Sequence, residues 1–258
     1  GTKITYRWEY RDSIYIKMTG HEPVYKTPLD SMTKDSTYAW FDTVKVHAKM
    51  EPIYIYYPGQ DAPAWNKVRI ARHQKQEKVN STFHIGHSGD CATADAQPVD
   101  PTGEDPEKKD IYTFNLEHHP AFFTFLTHNP RLPSVKVDSI IMIADKPISS
   151  VFEFDREGIH LDKYDEGTLS DTITLATPFF EDTGWKHTPR SLEHSQDSTA
   201  AYMVVAPQKD VKFDLIFHVR DTLSLIDTVY VRSYHLSELR PNTRSRSEER
   251  FSRNAETD

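Results

Sequence analysis

The stretch AYMVVAPQKDVKFDLIFHV, residues 201–219, decides how the chain is read. In its second part Val211, Phe213, Leu215, Phe217 and Val219 alternate with Lys212, Asp214 and His218, the period of a strand with one buried face. Its first part, ending at Pro207, is rich in β-branched and apolar residues and is read as a further strand. Outward from there the pattern recurs. ITYRWEY, DSIYIKM, TVKVHAKM, PIYIYYP, DIYTFNL, AFFTFLT, VKVDSIIMIA, SVFEFD, DTITLA and DTVYVRSY all show alternation or an excess of β-branched and aromatic residues. Many short strands separated by turn residues predict an all-β sandwich. The helix candidates are NKVRIARHQKQ (66–76), equally readable as strand then loop, and SMTKDSTYAWF (31–41). No fixed-period repeat is visible, which argues against a solenoid or propeller.

A chain of 258 residues suits two ordinary domains. THNPRLPS (127–134) carries two prolines that cannot donate to a sheet ladder, so the division is expected there: residues 1–130 as one β-sandwich and 131–240 as a second. DAQPVDPTGEDPEKKD (95–110) is expected to be a mobile loop between strands, and the nearly apolar-free end, 241–258, a disordered tail. The net charge of −8 leaves no basic footprint for nucleic acid or an anionic lipid surface. No apolar run is long enough to span a bilayer as a helix. One cysteine, Cys91, forms no internal disulfide and leaves the compartment open.

The densest collection of reactive residues is STFHIGHSGDCATAD, 81–95. His84, His87, Asp90 and Cys91 are all zinc-ligand types. Read as a strand, however, this stretch sends residues three apart to opposite faces, and glycines at 86 and 89 oppose a continuous helix. Ser88 lacks the second glycine of a nucleophile elbow, where Asp90 stands instead. Cys91 beside His87 satisfies a cysteine-nucleophile reading in sequence only, and packing at the base of a loop is the expectation. His118 and His119 are adjacent, so one of them is expected to face solvent. DREGIHLDKYDEG lacks the ordered spacing of a calcium loop. No catalytic residue, cofactor or metal site is therefore expected. Tyr56 and Tyr57 are candidate glycan-contacting aromatics in an alternative reading, although aromatics in such strands serve the core more often.

Several distinctive stretches follow one another in order: WEYRDSIYI, YIYYPG, HQKQ, GDCATAD, YTFNLEHHPAFFTFL and STAAYMVVAPQ. This order resembles the fimbrillin-like surface proteins of anaerobic gut and oral bacteria, over roughly residues 6–235. One departure is Arg11, which stands before Asp12 where that family usually has glycine. The resemblance implies two tandem transthyretin-like β-sandwiches and a non-catalytic stalk, tip or anchor subunit. It also implies export as a lipoprotein to the outer membrane of a Gram-negative bacterium, with signal and lipid-attachment cysteine removed upstream of Gly1. Expected partners are other fimbrial subunits or a host or bacterial surface ligand. Membrane contact is expected only through that lipid anchor. Assembly in the family proceeds by strand addition, and LIDTVYVRSY is the candidate strand-exchange segment, with Leu225, Asp227, Val229 and Val231 on one side. A resident edge strand has the same pattern. Two other readings remain: a surface carbohydrate-binding protein, and a metal-dependent hydrolase using the 84–91 cluster.

Overall fold

The computed structural model describes residues 6–44, 51–78, 81–107, 110–128, 135–177, 200–221, 224–242 and 244–250. The fold is all-β and sandwich-like. In chain order its strands are β1 (Ser13–Met18), β2 (His21–Met32), β3 (Ala39–Phe41), β4 (Pro52–Tyr57), β5 (Lys67–Ile70), β6 (His73–Lys75), β7 (Ala92–Asp95), β8 (Gln97–Pro98), β9 (Tyr112–Thr113) and β10 (Glu117–His118). They continue with β11 (Ala121–His128), β12 (Val135–Ala144), β13 (Ser150–Asp155), β14 (Gly158–Tyr164), β15 (Thr172–Ala176), β16 (Ala200–Val205), β17 (Gln208–Asp221), β18 (Ile226–Leu239) and β19 (Arg244–Arg250). The only helix among the described residues is one turn, α1 (Ile85–Ser88).

Strands β10-β7-β4-β1-β2-β3 form a six-stranded antiparallel sheet. A five-stranded sheet runs β18-β17-β12-β15-β6, parallel only between β15 and β6. Two three-stranded sheets, β16-β11-β19 and β14-β13-β5, and the β8-β9 pair complete the fold. The alternation in 211–219 is realised directly. Val211, Phe213, Leu215, Phe217 and Val219 are buried in the main core against β12, β15 and the inner residues of β11, β13 and β16. Strand β16 is buried along its whole length: Ala201, Met203 and Val205 face that main core, while Ala200, Tyr202 and Val204 join Phe122 and Ile85 in a second cluster.

Several expectations need correction. Residues 31–41 contain no helix but close the β2–β3 turn, where the Thr33 and Tyr38 backbones pair and Asp35 accepts from Thr33 and Thr37 hydroxyls. Residues 66–76 supply β5 and β6, not a helix. The expected division at 130/131 is not where the sheets divide. Before it in sequence, β5, β6 and β11 pair with β13, β15 and β16, which lie after it, and one core cluster contains residues from both sides. Of the proposed junction itself, residues 129–134 lie outside the described residues. The start of the 95–110 stretch forms β8, which pairs with β9 just beyond its end. The expected disordered tail contributes β19, which lies parallel to β11 from Phe122↔Arg244 to His128↔Arg250. Backbone pairing at a sheet edge requires no apolar side chains, so a polar segment satisfies it. Residues 251–258 lie outside the described residues.

One edge of β16 carries β11; the other is closed by side chains. Gln76 Nε2 donates to the Ala200 carbonyl at 3.1 Å, and its Oε1 accepts from the Tyr202 amide at 2.8 Å. Gln74, two residues earlier on the same face of its strand, repeats the pattern at Val204, with Nε2 donating at 2.7 Å and Oε1 accepting at 2.9 Å. His84 Nε2–H donates to the intervening Tyr202 carbonyl at 2.9 Å. A primary amide presents the same donor and acceptor as a peptide group, so these side chains replace a missing strand. Gln76→Ala strands the Tyr202 amide and the Ala200 carbonyl in the interior. It is expected to lower the unfolding free energy by about 2–4 kcal/mol in urea denaturation. Lys75→Ala, at the exposed position between the glutamines, is expected to change it by less than about 0.5 kcal/mol.

Candidate functional site

The segment 6–12 crosses one end of the six-stranded sheet and is held there by side chains. The Trp8 amide donates to the Ser36 carbonyl at 2.8 Å, and its indole meets Phe41 and Tyr57 edge-on at 5.2 and 5.5 Å. Tyr6 stacks on His118, centroids 3.3 Å apart and 7° from parallel, and donates its hydroxyl to Asn242 Oδ1 at 3.3 Å. Asp12 ends the segment as a buried acceptor. Its Oδ2 accepts from the Glu9 amide at 2.7 Å, and its Oδ1 accepts from the Tyr57 hydroxyl and Gln60 Nε2, both at 3.0 Å. Burial raises the Asp12 pKa above the ordinary carboxylate value, against the pull of those three donors.

Beside this knot lies a cavity of about 490 Å³. Its floor is formed by Asp12, Tyr57, Gln60, Asp90 and His118, and its walls include Trp8, Tyr38, Trp40, Phe83 and Phe114. Asp90 is buried and accepts from His118 Nδ1–H at 2.8 Å. Close approach on this floor demands glycine. A Cβ at Gly86 would stand 2.9 Å from Tyr57 Oη; one at Gly89, which has φ +115°, would stand 2.5 Å from the Ile70 Cα.

The 81–95 stretch is thus a structural junction. It was expected to be a strand followed by a loop, yet residues 85–88 make one helical turn that Gly89 ends in the left-handed region. The candidate ligands are engaged separately. His84 bonds to Tyr202, His87 Nδ1 lies 3.1 Å from Asp61 Oδ2, Asp90 pairs with His118, and Cys91 is in the main core. Burial and the nearby Asp90 push the Cys91 thiol well above its ordinary pKa, which keeps it protonated. Ser88 is buried. His118 and His119 are both buried, contrary to the expectation that one faces solvent: His119 Nε2 lies 2.8 Å from Thr93 Oγ1.

Tyr56 and Tyr57, the candidate glycan contacts, are also buried. Tyr56 packs edge-on against Trp65 and Phe154, and Tyr57 is the donor to Asp12 and meets the Trp8 indole, so neither is an exposed surface ring. Leu225 lies at the β17–β18 turn, and Asp227, Val229 and Val231 lie in β18 opposite Arg220, His218 and Ile216. The segment is therefore resident in its own sheet. What sequence reading missed is the cavity wall: Tyr38 and Trp40 stand at alternate positions in the stretch read as a helix, and that alternation was the available signal.

No family model matches the chain, and no curated protein matches it. Among solved structures it is similar to a Bacteroides fragilis protein provisionally assigned to cell adhesion. The TM-score is 0.46 and the identity 9%, over 95% of this chain and 81% of that one. A likeness of that size carries no argument about function.

Replacing Asp12 with alanine leaves three donors without their acceptor; a loss of about 2–4 kcal/mol in urea denaturation is expected. A second expectation concerns pH. Burial lowers the pKa of His84 and of His119 below the ordinary histidine value. Their contribution is complete above about pH 6.5, the unfolded value, and is lost as the pH falls below it. Unfolding free energy measured from about pH 7.5 to 5.5 should decline, and the paired change His84→Gln with His119→Gln should flatten the decline.

Proposed function

We propose that the protein is a non-catalytic cell-surface subunit of adhesive or fimbrial type that associates by β-strand addition. The observation that carries this reading is the outer edge of the five-stranded sheet. β18 runs fourteen residues as the last strand of that sheet, and its far edge carries no strand among the described residues. A sheet edge that carries no further strand is a template on which another strand can be added.

The side chains reinforce it. Val229 and Val231 are 52% and 50% exposed, and Leu225 and Ile226 at the strand's start are more exposed still. Val231 lies opposite Ile216, which lies opposite Ile141, so an aliphatic row crosses the outer face of the sheet from the open edge. Asp227, Arg232 and Glu238 on the same strand oppose indiscriminate pairing and favour a partner of matching charge. Because the segment is already paired with β17, this reading makes it the acceptor of a strand, not a donor. The ordered resemblance to fimbrillin-like proteins supports the same class, and with it export and a lipid anchor outside this sequence.

Light scattering over a concentration series tests the assembly. The intact chain is expected to form concentration-dependent oligomers, and the double change Val229→Lys with Val231→Lys to remain monomeric with unfolding free energy within about 0.5 kcal/mol of the parent. Oligomers that persist in the double variant, or a parent that stays monomeric at every concentration, would remove strand addition at β18.

A further inference from the structure

We propose that the cavity beside Asp12 is a binding site for a neutral saccharide. This adds a ligand to the surface role above and stands without the β18 assembly. The volume of about 490 Å³ falls within the usual range of small-molecule clefts. Its chemistry distinguishes among ligand classes.

Consider charge first. The two buried carboxylates of the floor are already answered, Asp12 by three donors and Asp90 by His118. Nearer the rim, Arg7 and Glu9 bring opposite charges to the same wall. A site for an organic cation would not place a guanidinium there, and a site for a phosphate or carboxylate would not line itself with acids. The balance fits an uncharged ligand.

The walls then select its shape. Tyr38 and Trp40 are 71% and 57% exposed, both line the cavity, and neither stacks on another aromatic ring among the described residues. Exposed rings gathered around one cavity, unlike rings scattered singly, mark a ligand-binding groove. Phe83 stands on a separate segment, with the Arg7 guanidinium 6.0 Å from its centroid. Rings carried on different segments around an open cavity suit a thick, non-planar ligand better than a flat heteroaromatic base. Between them Arg7 donates, Glu9 accepts, and the exposed Asn115 side chain does both. A saccharide has C–H faces to lie against Trp40 and Tyr38 and hydroxyls that both donate and accept.

The test is intrinsic tryptophan fluorescence and saturation-transfer NMR on the full chain. The probes are lactose, maltose, cellobiose and mannobiose, with adenosine, arginine amide and inorganic phosphate as competing classes. Saturable binding of at least one neutral disaccharide is expected. Trp40→Ala should weaken it about tenfold or more, and Trp40→Phe should retain most of it. Trp40 is exposed, so both variants should unfold at the parent's urea midpoint, and the Val229→Lys with Val231→Lys variant should bind unchanged. Binding confined to adenosine, arginine amide or phosphate would overturn the proposal. So would disaccharide binding indifferent to Trp40→Ala, or no binding of any disaccharide probe.

Discussion

Strand β16 is the piece on which the rest of this molecule leans, and it is held by a pair of glutamines. A strand buried on both faces cannot leave an edge unpaired, because each stranded amide or carbonyl costs as much as a lost hydrogen bond. β11 answers one edge. The other is answered by Gln74, Gln76 and His84, all from a stretch more than a hundred residues earlier. Period-two spacing puts both amides on one side of β6, and the two-residue repeat of a strand edge makes them meet Tyr202 and Val204 in register. Two core clusters then form on the two faces of β16, so the same contacts tie an early segment of the chain to a late one.

That closure also fixes the candidate site. The turn that carries His84 leads directly into α1, Gly89 and Asp90, so the residues that seal β16 also position the floor of the cavity. On its far side, Asp12 is held by Tyr57 and Gln60, and Gly86 lets the Tyr57 hydroxyl approach the helical turn. The two carboxylates of the cavity floor are therefore satisfied within the protein. The exposed rings of Tyr38, at the end of the β2–β3 turn, and of Trp40, on β3, stand outside that network. A preorganised floor under a rim of exposed rings is the arrangement expected where specificity and contact area are supplied by different parts of a site.

Sequence reading succeeded where burial is one-sided. Alternation at 211–219, the recurring β-branched and aromatic stretches and the turn residues between strands were enough for an all-β fold, since side-chain period reports directly on which face meets the core. It failed where backbone groups decide. β19 has almost no apolar residues and still joins a sheet, and residues 31–41 form a hairpin turn through local Asp and Thr hydrogen bonds that periodicity does not register. The division at 130/131 failed for a related reason: β5, β6 and β11 are claimed by partners that lie far along the chain.

For the site, the residue types were legible and their roles were not. Histidines, an aspartate and a cysteine close together in sequence suggested a shared ion, but each found a different distant partner. HQKQ was visible only as a motif. By itself the sequence determined strand content, the inward-facing residues of the alternating strands and the net negative charge, because these follow from local periodicity and composition. Only the tertiary structure decided that Gln74 and Gln76 act as a strand, that Tyr56 and Tyr57 are core, and that Trp40 borders a cavity. Each of those depends on which remote backbone or side chain arrives opposite, and that is settled by packing across the whole chain.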